Sequence, residues 1–105
     1  MLFMPSVFEA IADPTRRRIV ELVATQELPA GDIAGAFAVS RPAISRHLRV
    51  LRQAGVLAAR VDGQRRLYRL EPKALDELDS WIERTRHFWA QHLEELDEHL
   101  QRNAK

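Results

Sequence analysis

Ser40 to Leu51 reads SRPAISRHLRVL, and this stretch decides the fold. On a helix Ile44, Leu48 and Leu51 fall at i, i+4 and i+7, a stripe that must bury against other elements. Arg41, Ser45, Arg46, Arg49 and Arg52 point away from that stripe, so the free face is basic and holds no acid. Ser40 is placed as N-cap. Pro42 has no amide hydrogen, which leaves the amide of Ala43 as the donor to the Ser40 hydroxyl. Arg41 and Pro42 are then first-turn residues, where proline is tolerated. Gly55 ends the helix, because glycine readily takes the left-handed conformation of a C-terminal cap. The result is an amphipathic helix of about 14 residues, an ordinary length, with one face suited to a DNA groove. A basic amphipathic helix is also a common solvated surface element, so the flanking sequence decides between the two readings.

Upstream, Asp32 to Phe37 makes a short helix with Ile33, Ala34 and Phe37 inward, and its small residues Ala34, Gly35 and Ala36 permit close helix approach. Ala38 and Val39 connect it to Ser40, which is the spacing of a helix-turn-helix. In that motif the second helix enters the major groove. Pro29 to Gly31 read as a turn. Further back, a helix from about Pro5 to Ala12 places Val7, Phe8 and Ile11 on one side and breaks at Asp13-Pro14. Asp13 caps the next helix, which reaches about Gln26 with Ile19, Leu22 and Val23 as its core stripe. Arg16, Arg17 and Arg18 crowd its amino end, where each cation costs about 0.3 to 1 kcal/mol against the helix dipole at low salt. At least one is therefore expected to be kept for a contact, with an acid of another element or with a phosphate.

After Gly55 the pattern changes to alternation. Leu57, Ala59 and Val61 alternate with Ala58 and Arg60; Arg66, Tyr68 and Leu70 alternate with Leu67 and Arg69; Asp62-Gly63 between them is a hairpin signal. The tip carries Gln64, Arg65 and Arg66. A basic hairpin alone is usually a soluble edge, but beside the Ser40 helix it becomes a wing whose arginines reach a minor groove or the backbone.

The chain has 105 residues, 46% of them apolar and 30% charged, which suits one soluble globular domain. Cysteine is absent, so disulfides, thiolate nucleophiles and thiolate metal sites are excluded, and a reducing compartment, by default the cytoplasm, is expected. The start, MLFMPSVFEA, has no basic segment followed by a long apolar run, and no stretch is apolar enough to span a membrane. The net charge of +1 conceals a division. Residues 1–70 hold 11 arginines against six acids, while residues 71–105 hold five bases against nine acids. Residues 40–70 are sharper still, with eight arginines opposed only by Asp62, a local excess that attracts phosphates.

ADPTRRRIVELV at residues 12–23, VSRPAISRHLRVLRQAGVL at 39–57 and DGQRRLYRL at 62–70 resemble, in order and spacing, the ArsR-type family of winged helix-turn-helix transcriptional repressors. The resemblance covers residues 8 to about 70. It implies a homodimeric bacterial or archaeal repressor that binds an imperfect palindrome in a promoter and often controls its own transcription unit. It also implies DNA-facing roles for Ser40, Arg41, Pro42, Ser45, Arg46 and Arg49 on the recognition helix and for Arg65 and Arg66 at the wing tip, with Leu48 and Leu51 as core. His47 lies toward the buried side of that helix, so the expected role is a structural hydrogen bond rather than a DNA contact. No nucleophile stands beside it for a general base to serve.

In the last third, Leu75, Leu78, Ile82, Trp89, Leu93, Leu96 and Leu100 form a stripe on one long helix, with Trp81 and Phe88 beside it. A domain this small cannot cover all of that surface itself. A second copy is the economical partner, since a self-complementary face yields a two-fold dimer and presents two recognition helices to a palindromic site. The expected architecture is mainly α with a small β-hairpin: one winged helix-turn-helix domain over 1–105, with the DNA-binding core and wing in 5–71 and a C-terminal dimerisation helix in 72–103.

Thiolate-using members of the family place a cysteine pair in the third helix, but here PAGDIAGAF, residues 29–37, has none. His87, His92 and His99 lie on the last helix near Glu95 and Asp97; His92 and His99 share a face, and imidazoles with a carboxylate suit zinc or nickel. Their spacing departs from the Asp-x-His opening of the family's metal sites on that helix, so they read as polar seam or surface residues and no cofactor is expected. A metal-responsive repressor is the alternative within the class. Phosphate loops, serine-histidine-acid arrangements and paired acids in a pocket are all missing, so the chain is not read as an enzyme. From another class, a protein-interaction module acting through the last helix is opposed by the charge division. The expected partners are double-stranded DNA and a second copy, with no membrane and with the effector open.

Overall fold

The structure, a computed structural model, describes residues 4–103. Met1 to Phe3 and the last two residues, which belong to the expected 1–105 domain, lie outside the described residues.

Capping chemistry sets where the helices begin. Helix α1, Val7–Ala10, opens on a capping box in which Ser6 Oγ accepts from the Glu9 amide and the Glu9 carboxylate accepts from the Ser6 amide. It is shorter than the expected Pro5 to Ala12. Helix α2, Pro14–Val23, starts as expected, with Asp13 accepting the Arg16 amide at 3.0 Å. It stops three residues before Gln26, because the chain bends to pair Leu28 and Pro29 with a strand. That two-residue strand is β1, Leu28–Pro29, where the sequence reads as a turn. Helix α3, Ala30–Gly35, follows directly, two residues earlier than expected.

Helix α4, Arg41–Gln53, matches its expected start: Ser40 caps it through the Ala43 amide at 3.3 Å. Its other end is a Schellman turn, with the Val56 amide donating to the Leu51 carbonyl at 2.9 Å and the Gly55 amide to the Arg52 carbonyl at 3.0 Å. Gly55 has φ +77°, the left-handed value for which a glycine is needed.

Strands β2, Leu57–Asp62, and β3, Arg65–Leu70, form the expected hairpin. Its two-residue loop is Gly63-Gln64, with φ +64° at Gly63 alone, where hairpin loops of the II′ class put glycine. The sheet is larger than a hairpin, however: its order is β1-β3-β2, all antiparallel, with Leu28 opposite Tyr68 and Pro29 opposite Leu67. Proline fits there because β1 is an edge strand. Leu67 and Tyr68 are both buried, so the centre of β3 departs from simple alternation; this is the central strand, and α2 and α3 pack against it.

Ile19, Ile33, Ile44, Leu51 and Val56 are the largest fully buried side chains. They come from α2, α3, α4 and the turn after it, so the core seats the apolar stripe of α4 and fixes which face of that helix meets solvent.

Helix α5, Pro72–Asn103, is the long C-terminal helix. The chain divides into two compact units, the first ending at Leu75 and the second beginning at Asp76. In the second, Leu78 is half-buried and Ile82, Trp89, Leu93, Leu96 and Leu100 are exposed, while Leu75 is exposed in the first. Among the described residues no helix is long and apolar enough to cross a membrane.

Candidate nucleic-acid interface

Seating Ile44, Leu48 and Leu51 in the core turns the opposite side of α4 outward. Arg41, Pro42, Ser45, Arg46, Arg49 and Arg52 are all exposed there. Ser40 is exposed too; its Oγ accepts from Ala43, which leaves its hydroxyl hydrogen free to donate.

The eight arginines of residues 40–70 divide into two groups. Arg60 pairs with Glu27 at 2.7 Å, Arg65 with Asp62 at 3.3 Å and Arg69 with Glu71 at 3.6 Å. Arg41, Arg46, Arg49, Arg52 and Arg66 make no ion pair or side-chain hydrogen bond among the described residues. Unpaired, exposed guanidiniums on one helix face and on the wing keep their full charge and their forked donors for an external anion. The exposed pairs add little stability, since such contacts are worth roughly 0 to 1 kcal/mol. The Asp62 contact leaves Arg65 exposed at the base of the wing loop.

Two of the three arginines at the start of α2 find a different partner from either one the sequence suggested. Arg16 donates to the carbonyls of Ala10 and Glu9, and Arg17 to those of Ile11 and Ala12. Two guanidiniums thus serve four successive carbonyls where α1 ends, adding to the few backbone donors that reach a helix terminus. Arg16 also places Nη1 at 3.4 Å from Nδ1 of His47, tying the end of α1 to the middle of α4. His47 is half-buried and its contact is with Arg16, the kind of structural hydrogen bond expected for it. Asp13, beneath this junction, has its carboxyl held below the usual range, chiefly because it accepts the Arg16 amide and further because of the nearby His47 and Arg16 charges; desolvation opposes them. Arg18 is exposed.

The wing tip lies beside the start of the helix-turn-helix. Gly31, Arg41, Gln64, Arg65 and Arg66 line one open groove there. Arg41, Arg65 and Arg66 are thus brought together, whereas Ser45, Arg46 and Arg49 do not line it. Nothing in the sequence singles out Gly31, because its neighbourhood depends on β1 pairing with β3.

On α5, His92 stacks on Phe88 with ring centroids 6.0 Å apart and meets Trp89 edge-on at 5.7 Å, while His99 lies 3.0 Å from Asn103 Nδ2. His87 is exposed. Among the described residues no three histidine, cysteine, aspartate or glutamate side chains gather into a group that could hold a metal.

A family model described as bacterial regulatory protein, arsR family, matches residues 13–59, from the cap of α2 into β2. The transcriptional repressor SdpR of Bacillus subtilis is 43% identical over 79 residues, covering 75% of this chain and 88% of that protein. An ArsR-like transcriptional regulator from Rhodococcus superimposes with a TM-score of 0.77 at 28% identity, covering 88% of this chain and 87% of that one. The homodimeric winged helix-turn-helix DNA-binding domain of a possible ArsR-family regulator from Mycobacterium bovis gives 0.63 at 27% identity, covering 77% and 75%. With its helix-turn-helix, its wing and a basic face free of acids, the chain belongs to the ArsR family of DNA-binding transcriptional regulators, which are not enzymes.

Proposed function

We propose that this regulator is a homodimeric repressor of a two-fold symmetric promoter site, in which each protomer lays α4 in a major groove and its wing on the neighbouring minor groove or backbone. The observation that carries this is the face of α4: Arg41, Arg46 and Arg49 are exposed, share one side of the helix and have no acid to neutralise them. Ser40, Pro42 and Ser45 complete the DNA-facing surface, with Arg65 and Arg66 on the wing. Arginine to guanine is the bidentate pair with most discrimination, about 1 to 3 kcal/mol per contact. The exposed stripe Leu75, Ile82, Trp89, Leu93, Leu96 and Leu100, with half-buried Leu78, is the surface through which two copies of α5 associate, consistent with the homodimeric Mycobacterium bovis relative. Such a repressor works on the chromosome in the cytoplasm, and one of its promoters is that of its own transcription unit.

Selection of bound duplexes from random DNA with the purified chain tests this reading. Two-fold related half-sites are expected, with centres about 34 to 36 Å apart or a multiple of that distance. Enrichment of asymmetric sites would contradict the dimer, and no enrichment would contradict sequence-specific binding.

A further inference from the structure

The groove between the wing and the helix-turn-helix has a built geometry that the face of α4 alone does not explain. It is a half-open groove of about 350 Å3. Its first wall exists because β1 pairs with β3: Pro29 lies opposite Leu67, so α3, beginning at Ala30, is carried against the hairpin. Arg41, the first residue of α4, crosses that wall. A Cβ built on Gly31 would stand 3.7 Å from Nη2 of Arg41, so the guanidinium rests over the first turn of α3. Gln64, Arg65 and Arg66 supply the other wall. Three arginines therefore line one concavity, and the acid engaged by any of them is Asp62, 3.3 Å from Arg65. Arg41 and Arg66 stay unpaired among the described residues.

We propose that this groove seats a single phosphodiester of the bound DNA, gripped from one side by Arg41 and from the other by Arg66, with Arg65 adding charge. The inference rests on the DNA-binding reading above and gives one of its residues a different task. Planar guanidinium forks match the oxygens of a phosphate, and two forks on opposite walls hold it more specifically than either alone. An open groove admits a continuous backbone, as an enclosed pocket would not. Arg41 then reads no base. It locks the recognition helix and the wing onto one point of the backbone, and base discrimination passes to Ser45, Arg46 and Arg49, which lie outside the groove. Gly31 adds no side chain to the first wall, where Arg41 lies.

The test uses the full chain and a duplex that it selects from random DNA, prepared as a series with one neutral methylphosphonate at a time. A charged hydrogen bond lost at the seated phosphate should cost the wild type about tenfold in affinity. Arg41→Ala and Arg66→Ala should each bind the unmodified duplex more weakly and should each lose part of the wild-type sensitivity at that same phosphate, with the double variant losing most of it, whereas Arg46→Ala should keep the wild-type sensitivity there. Gly31→Glu keeps every arginine and sets a carboxylate beside Arg41; it should lower sensitivity at that position as Arg41→Ala does, while Gly31→Gln should keep the wild-type sensitivity. If Arg41→Ala and Arg66→Ala lose sensitivity at different phosphates or at none, or if Gly31→Glu keeps the full wild-type sensitivity, the shared seat is overturned while DNA binding stands. If the wild type selects no duplex, the DNA-binding reading fails and this inference falls with it.

Discussion

Replacing Arg16 with alanine removes three contacts at once: the donations to the Ala10 and Glu9 carbonyls and the approach to His47. Charged donors to well-buried acceptors contribute about 1.5 to 3 kcal/mol each. Arg16 is only half-buried, and water can take its place at the carbonyls, so a total of about 1 to 2 kcal/mol is the reasonable expectation. The loss should fall on α1, whose four residues are far too few to hold a helix unaided, and through it on the seating of α4. Urea unfolding followed by circular dichroism is the assay, at one fixed protein concentration because the stability of the proposed dimer depends on concentration. Arg16→Lys keeps the charge but not the planar fork, so it should recover less than half of the loss. An unchanged midpoint for Arg16→Ala, or full recovery by lysine, would refute the claim that this guanidinium joins α1 to the recognition helix.

Further outcomes follow from the same geometry. Asp13 has a folded pKa below its unfolded value, which is about 3.9, so its stabilisation is complete above that pH and is lost as pH falls through the folded value. Asp13→Ala should therefore cost about 1 kcal/mol at neutral pH, the usual worth of an N-cap, and the difference from wild type should vanish in acid; a constant difference would contradict the capping role. Leu51 is fully buried at the base of α4, and Leu51→Ala should cost about 2 to 5 kcal/mol in urea unfolding; a loss under about 1 kcal/mol would place it outside the core. Charges on the α5 stripe, as in Leu93→Glu with Leu100→Glu, should give a monomer in sedimentation while far-ultraviolet dichroism stays helical. A dimer that persists would assign the seam elsewhere.

The elements best read from sequence are those whose ends are fixed by local chemistry. Ser40 needs only the Ala43 amide three residues away, and Gly55 and Gly63 sit where the backbone takes positive φ, so α4 and the wing were legible nearly to the residue. β1 was not, because two residues carry no periodicity and Leu28 becomes a strand only by meeting Tyr68, 40 positions later. The same distant pairing ends α2 early, against helix-compatible residues at 24–26. For the site, the unpaired face of α4 was visible in the spacing of its arginines. The groove with Gly31 was hidden because β1 builds it, and the four carbonyls taken by Arg16 and Arg17 could not be seen from side-chain types, which pointed to acids and phosphates instead.

The basic face of α4 is tested most directly by comparing the wild type with Arg46→Ala/Arg49→Ala on a self-selected duplex and on random DNA over a salt series. With about six to ten phosphate contacts per proposed dimer, wild-type affinity should fall by some 10³ to 10⁵ between roughly 50 and 200 mM salt. The double variant should lose most of its preference for the selected duplex, about 1 to 3 kcal/mol for each arginine that reads a base, while retaining salt-dependent binding to random DNA. A double variant that keeps both the affinity and the preference of the wild type would contradict the assignment of that face to DNA.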